Sequence, residues 1–312
     1  NENRLKAGLE AMDRKHYATA LRAFRSLAKQ NNSQAQNNIG YMYEQGWGVP
    51  QSYSDAMKWY RKAALKSLAE GQYNLGILYH NGYGVAKNKS EAKRWFEKAA
   101  KLNPNSSDIY NNLGVILQAQ NKLDEALQNF KRGAKLNPKS YQIQNNIGIL
   151  YQLENNTPEA IKYHTRAVQI NPKYIQGLID LGVSYQKIGD LKGALRVYNQ
   201  ALESEKQNPI LFNNIGLTLL AQQRLDEALV YFKKAHNLRE KFPEVLNSIG
   251  YILNLQSKFS EAEVYLNKAI HHKSDYVQAY GNLGNSLLSL RRLEDALVIF
   301  KKAVSLNKDN AR

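Results

Sequence analysis

The sequence predicts an all-α solenoid of about nine helix–turn–helix repeats. Three observations predict it. Gly40, Gly76, Gly114, Gly148, Gly182, Gly216, Gly250 and Gly284 recur at intervals of 36 and 38 residues and then five times at 34. After each of the last six glycines, positions 12, 16 and 19 read small, bulky, small, as in Ala126–Phe130–Gly133 and Ala228–Phe232–Ala235. Apolar residues between these marks recur at three and four, the helical period. A fixed period in this range signals stacked helix pairs, which build one long surface and enclose no reactive pocket.

The first element, residues 1–33, is a short repeat with Gly8, Ala20 and Phe24 at the later offsets. The next two, over 34–105, carry an insertion between their helices, Gly46-Trp47-Gly48-Val49-Pro50 and Gly82-Tyr83-Gly84-Val85. Glycine supplies turn conformations there that other residues resist. Ala56, Tyr60 and Ala63 take the packing positions in one, Ala92, Phe96 and Ala99 in the other. The remaining six, over 106–309, read as helix, tight turn, helix. Asp124-Glu125 and Asp226-Glu227 suit the positive end of a second helix. Asn103-Pro104, Asn137-Pro138 and Asn171-Pro172 end second helices, and Pro209 and Pro243 suit the first turn of the following first helices.

Segments such as YNNLGVILQAQNKLDEALQNFKRGAKLNP make 106–309 resemble six tetratricopeptide repeats, and the two insertion repeats resemble Sel1-like repeats. The resemblance implies a right-handed superhelix with first helices on its concave face and second helices on its convex face. Lys131-Arg132, Lys233-Lys234, Lys301-Lys302, Arg61-Lys62 and Lys93-Arg94 then fall on the convex side.

The formal charge is +16, from 43 basic and 27 acidic residues. Residues 1–104 hold 17 basic and 8 acidic, so the excess is denser in front. A basic outer shell suits a polyanion, and it also suits helix dipoles and solubility. Nucleic acid, anionic lipid and anionic polysaccharide all fit such a shell; of these an anionic polysaccharide is the expected partner, and nucleic acid is not expected. There is no cysteine, which excludes disulfides, thiolate zinc sites and a cysteine nucleophile. No apolar run approaches the roughly 18–20 residues of a membrane span. The chain opens Asn1-Glu2-Asn3 without methionine, so an upstream segment removed in processing is expected. The opening resembles mature exported bacterial Sel1-like proteins, which implies a periplasmic or secreted location, with the cytoplasm as the alternative.

No phosphate-cradling loop, zinc helix or other catalytic constellation is present, so no enzyme activity, metal or cofactor is expected. His271 and His272 are adjacent and point about 100° apart on a helix, a poor metal pair. His164 replaces the packing aromatic of its repeat and reads as a half-buried spacer.

The candidate site is the face of the first helices. Two residues before the glycines stand Asn38, Asn74, Asn112, Asn146, Asp180, Asn214, Ser248 and Asn282, and one further back Asn111, Asn145 and Asn213. In peptide-binding tetratricopeptide superhelices such asparagines form a ladder along the groove. A carboxamide offers donor and acceptor together, so it grips a peptide bond without reading its side chain. The competing reading is that they bond neighbouring helices to each other. Gln118, Gln142, Gln152, Gln176, Gln186, Asn254 and Gln278, with Tyr41 and Tyr251, make the expected lining polar and nearly uncharged. The expected function is a scaffold holding an extended peptide of a partner protein. The alternative is a periplasmic scaffold for exopolysaccharide assembly or export.

The final helix, expected over Leu293–Leu306, should turn Leu293, Ala296, Leu297, Phe300, Ala303 and Val304 onto its own partners. Val298, Ile299 and Leu306 would be left uncovered, which implies truncation and end-to-end self-association through that helix.

Overall fold

The computed structural model describes residues 2–309, and the described residues form eighteen α-helices with no strands. The insertion repeats and the short repeat before them supply α1 (Glu2–Asp13), α2 (Tyr17–Lys29), α3 (Ser33–Gln45), α4 (Tyr53–Leu65), α5 (Ala69–Asn81) and α6 (Lys89–Leu102). Next come α7 (Ser107–Gln118), α8 (Leu123–Leu136), α9 (Tyr141–Leu153), α10 (Thr157–Ile170), α11 (Ile175–Lys187) and α12 (Leu191–Ser204). The last six are α13 (Pro209–Ala221), α14 (Leu225–Leu238), α15 (Pro243–Leu255), α16 (Phe259–His272), α17 (Val277–Ser289) and α18 (Leu293–Asp309). Two compact units divide the chain, one ending at Leu150 and the other starting at Tyr151.

Local chemistry sets the helix starts. Asn32, Ser52, Asn88, Asn156, Asp190 and Asn208 each accept a backbone N–H of the first turn, satisfying donors the helix itself cannot use. Pro209 and Pro243 occupy first-turn positions, where the missing N–H costs nothing. Seven residues after the periodic glycine, most helix pairs turn through one left-handed residue. These are Lys15, Asn121, Asn155, Gln223, Ser257 and Arg291, with φ between 58° and 61°, and Gly189 at 79°. The sequence shows a glycine at just one of the seven, so the turn is imposed by the packing on either side.

The glycine ruler is a packing device. A Cβ on Gly216 would lie 2.8 Å from the Phe232 ring, and one on Gly182 would strike Tyr198. The bulky residues Phe130, Tyr198 and Phe232 thus pack directly against the backbone of their own first helices at Gly114, Gly182 and Gly216. Phe130, Tyr198 and Phe232 are fully buried there, as close packing requires. His164 is also fully buried, more than its expected half-burial.

In the first unit the two insertions act as clasps. Trp47 stacks on Tyr17, the first residue of α2, at 5.0 Å, and Tyr83 stacks on Tyr53, the first residue of α4, at 4.7 Å. Gly48 and Gly84 carry φ of 71° and 68° where a Cβ would press on Tyr17 and on the Tyr53–Ser54 backbone. Each insertion therefore reaches back to the second helix of the preceding repeat. On α4 and α6, Lys62 lies 4.2 Å over Trp59 and Lys98 lies 4.4 Å over Trp95, cation–π lids at spacing i, i+3.

The second unit repeats that pairing with Tyr163–Arg166, Tyr231–Lys234 and Tyr265–Lys268. Its last helix departs from expectation. Leu293, Leu297 and Val304 are 60%, 53% and 56% exposed, whereas Ile299 and Leu306 are half-buried. The uncovered strip therefore runs Leu293–Leu297–Val304 with Val298, rotated from the predicted one. Ala296 and Ala303, also expected to face the partner helices, are buried.

Candidate functional site

The asparagine ladder exists, and its first task is joining repeats. In the first unit Asn74 donates from Nδ2 to Asn37 Oδ1 at 3.0 Å, Asn112 to the Tyr73 hydroxyl at 3.1 Å, and Asn146 to Asn111 Oδ1 at 2.8 Å. In the second unit Asn282 donates to Asn247 Oδ1 at 2.9 Å. The rule is constant: the residue two before one glycine reaches the residue three before the previous glycine. It needs an amide and an acceptor. Asn214 faces Ile179 at the acceptor position, and its Oδ1 accepts from Asn213 at 3.4 Å. The Asp180 carboxylate has no N–H to give and accepts from Gln176 at 2.9 Å. Asn145 is buried, and Asn38 lies beside Asn37 in a shallow hollow of about 200 Å³ with Leu5 and Leu9.

A second ladder, not foreseen, runs through the second unit four residues after the glycines. Gln152 Nε2 donates to the Asp180 carbonyl at 3.0 Å and to Ser184 Oγ at 2.6 Å. Gln186 Nε2 donates to the Asn214 carbonyl at 3.3 Å and to Thr218 Oγ1 at 2.7 Å, while its Oε1 accepts from the Tyr198 hydroxyl. Asn254 donates to the Asn282 carbonyl at 2.9 Å and accepts from Ser286 at 2.7 Å. Gln152, Gln186 and Asn254, expected to face a ligand, are thus engaged by the next repeat. The sequence trace of this ladder is a hydroxyl 32 residues after each amide.

The ladder is interrupted once. Leu220 stands at the amide position and Ile252 at the hydroxyl position. Both belong to the apolar core of this unit. Around the interruption, on α13 and α15, two adjoining hollows of about 550 and 640 Å³ share Leu217, Leu220 and Tyr251. Leu217 and Tyr251 are 41% and 40% exposed. Asn213, Asn247, Gln278 and Asn282 edge the first hollow. Its one carboxylate, Glu244, is paired with Lys273 at 3.3 Å. The expected lining of uniform amides is therefore replaced here by an apolar floor with an amide rim.

His271 and His272 place their rings 5.2 Å apart and edge-on. Among the described residues no cluster of three or more His, Asp or Glu could hold a metal, and no helix is long and apolar enough to cross a membrane.

Two Sel1 repeat models match residues 33–68 and 69–104. Tetratricopeptide repeat models match 95–128, 116–175, 179–241 and 277–310, together more than half of the chain. The chain is a tetratricopeptide repeat protein with Sel1 repeats at its N-terminal end. No curated protein sequence matches this Sel1–tetratricopeptide chain. Among solved structures it is similar to c5321, described as a protective antigen of uropathogenic Escherichia coli with an SLR fold. The TM-score is 0.73 at 21% identity, covering 93% of this chain and 64% of that one. The tetratricopeptide chain thus spans just under two thirds of that structure's length. A Sel1 repeat protein from Oxalobacter formigenes aligns at TM-score 0.61 and 26% identity, over 75% of this chain and 97% of that one. YrrB, described as a TPR protein with an unusual peptide-binding site, aligns at TM-score 0.50 and 22% identity, over 59% and 95%. Tetratricopeptide and Sel1 repeats are protein-interaction scaffolds, typically without catalysis of their own.

Proposed function

We propose that the chain is a non-enzymatic scaffold that holds an extended segment of a partner protein along its first helices. The observation that carries this reading is the state of the ladder amides. Asn146 and Asn282 each spend one N–H on the preceding repeat and keep a second N–H and a carbonyl. The inter-repeat bond fixes the rotamer, so the remaining donor and acceptor are held in place for a peptide bond. The peptide-binding site of YrrB supports the reading to the extent that this fold can carry one.

The test is a random dodecapeptide display library panned against the chain. Enriched binders are expected. Asn214→Ala with Gln278→Ala removes two amides of this face that carry no inter-repeat side-chain bond, and should weaken the best binder about tenfold or more. Each lost hydrogen bond is worth about 0.5–1.5 kcal/mol. A panning that enriches nothing, or a double variant that binds like the parent, overturns the scaffold reading.

A further inference from the structure

We infer that the interruption of the second ladder at Leu220 and Ile252 is a side-chain pocket that selects partner segments bearing a bulky, uncharged apolar residue. The inference rests on the scaffold reading and names the residue that this stretch of the groove prefers.

Three observations carry it. First, the interruption is paired. Gln152–Ser184, Gln186–Thr218 and Asn254–Ser286 keep amide and hydroxyl together, and at Leu220–Ile252 both members turn apolar. In the first unit the same offsets hold Gln118 with the apolar Leu150, so loss of both polar members at once is particular to Leu220–Ile252. The fold does not require the change, since the repeats on either side hold the polar version. Second, the change coincides with the space: the hollows of about 550 and 640 Å³ both rest on Leu220, with Leu217 and Tyr251. Those volumes fall in the range of ligand sites, which are apolar with a few placed polar groups. Third, charge fixes the occupant. Glu244 is neutralised by Lys273, and the remaining polar rim is carboxamide, hydroxyl and phenol. An uncharged rim offers nothing to a polyanion, whereas carboxamides satisfy the backbone of an extended peptide while its side chain enters the apolar floor.

The structure also supplies the variant that tests this. Leu220→Gln with Ile252→Thr installs the pair that Gln186 and Thr218 already form one repeat earlier. It replaces the apolar floor with an amide and a hydroxyl at the offsets of that clasp, with Phe232 standing where Tyr198 completes it. Peptides enriched on the parent chain should carry a Leu, Met, Phe or Tyr at a common position. The double variant should bind the best of them about tenfold or more weakly, as loss of one buried apolar side chain implies, while its melting temperature stays within a few degrees. Changing that peptide residue to Ser should weaken binding to the parent and leave the double variant's residual binding unchanged. If the double variant does not fold, Leu217→Asn, at an exposed position, serves in its place with the same expectation. Enriched peptides without a common apolar residue, or full affinity in the folded variant, overturn the pocket and leave the scaffold reading standing. So does displacement of the peptide by alginate. A library that enriches nothing overturns both.

Discussion

His164 occupies the position filled by Phe130 and Phe232 in other repeats, and burial pushes its imidazole down to about 4. The folded state therefore resists protonation that the unfolded chain accepts near 6.5. Stability is fully present above that value and falls as pH drops from about 6.5 through about 4. The loss is on the order of 3 kcal/mol by linkage. His164→Phe should remove this part of the acid sensitivity. Urea unfolding of both proteins at pH 7 and pH 4 checks it, and an unchanged pH dependence would place the acid sensitivity elsewhere. Two glycines separate steric from conformational cost. A Cβ at Gly189 touches nothing within 4 Å, so Gly189→Ala should cost only the left-handed backbone penalty, about 1–2 kcal/mol. Gly182→Leu drives a side chain into Tyr198 and should cost about 3 kcal/mol or more. Equal melting losses for the two would contradict the contact that defines the repeat.

At the scale of the helix pair, the inter-repeat amides set how firmly one repeat grips the next. Removing Gln186 strands the Tyr198 hydroxyl and loosens Thr218. Gln186→Ala should therefore destabilise by about 1–3 kcal/mol, and a cycle with Thr218→Ala should show coupling above about 0.5 kcal/mol. Additive losses would mean that the clasp is incidental. The turns offer the opposite experiment. Arg291 holds φ 61° in an exposed turn, so Arg291→Gly should raise stability by a few tenths to about 1 kcal/mol. This is also where reading from sequence reached its limit. Helix pairing, first-turn prolines and the glycine contacts are written in residue types at fixed spacing, so they were legible. The left-handed turn is not, because Lys15, Gln223 and Arg291 carry no turn preference and adopt it under tertiary force. The amides were found, but their partners lie in the next repeat, and a polar residue on a helix face does not announce whether it faces solvent or a neighbour. The apolar floor at Leu220 was missed because leucine in a helical repeat reads as core.

Across the whole molecule the apolar interior is divided into successive clusters, one around α1–α3, one around α4–α7 and a larger one from Leu178 to Ala296. In repeat arrays stability sums over neighbours, so local opening should grade along the chain. Native-state hydrogen exchange should show the slowest amides in α13 and α15, and fast exchange in α1 and in the exposed-faced α18. Uniform protection from end to end would argue instead for a single cooperative core.

The aromatic clasps and lids of the first unit have a spectroscopic consequence. All three tryptophans, Trp47, Trp59 and Trp95, lie before residue 100, each against an aromatic ring or a lysine ammonium. Beyond Trp95 the chain's chromophores are tyrosine and phenylalanine. Emission excited at the red edge of the indole band therefore watches the Sel1 repeats alone, while tyrosine absorbance and far-ultraviolet dichroism also register the rest. Natural chromophores thus label one end of this array, and the order in which its repeats come apart can be followed without attaching a dye.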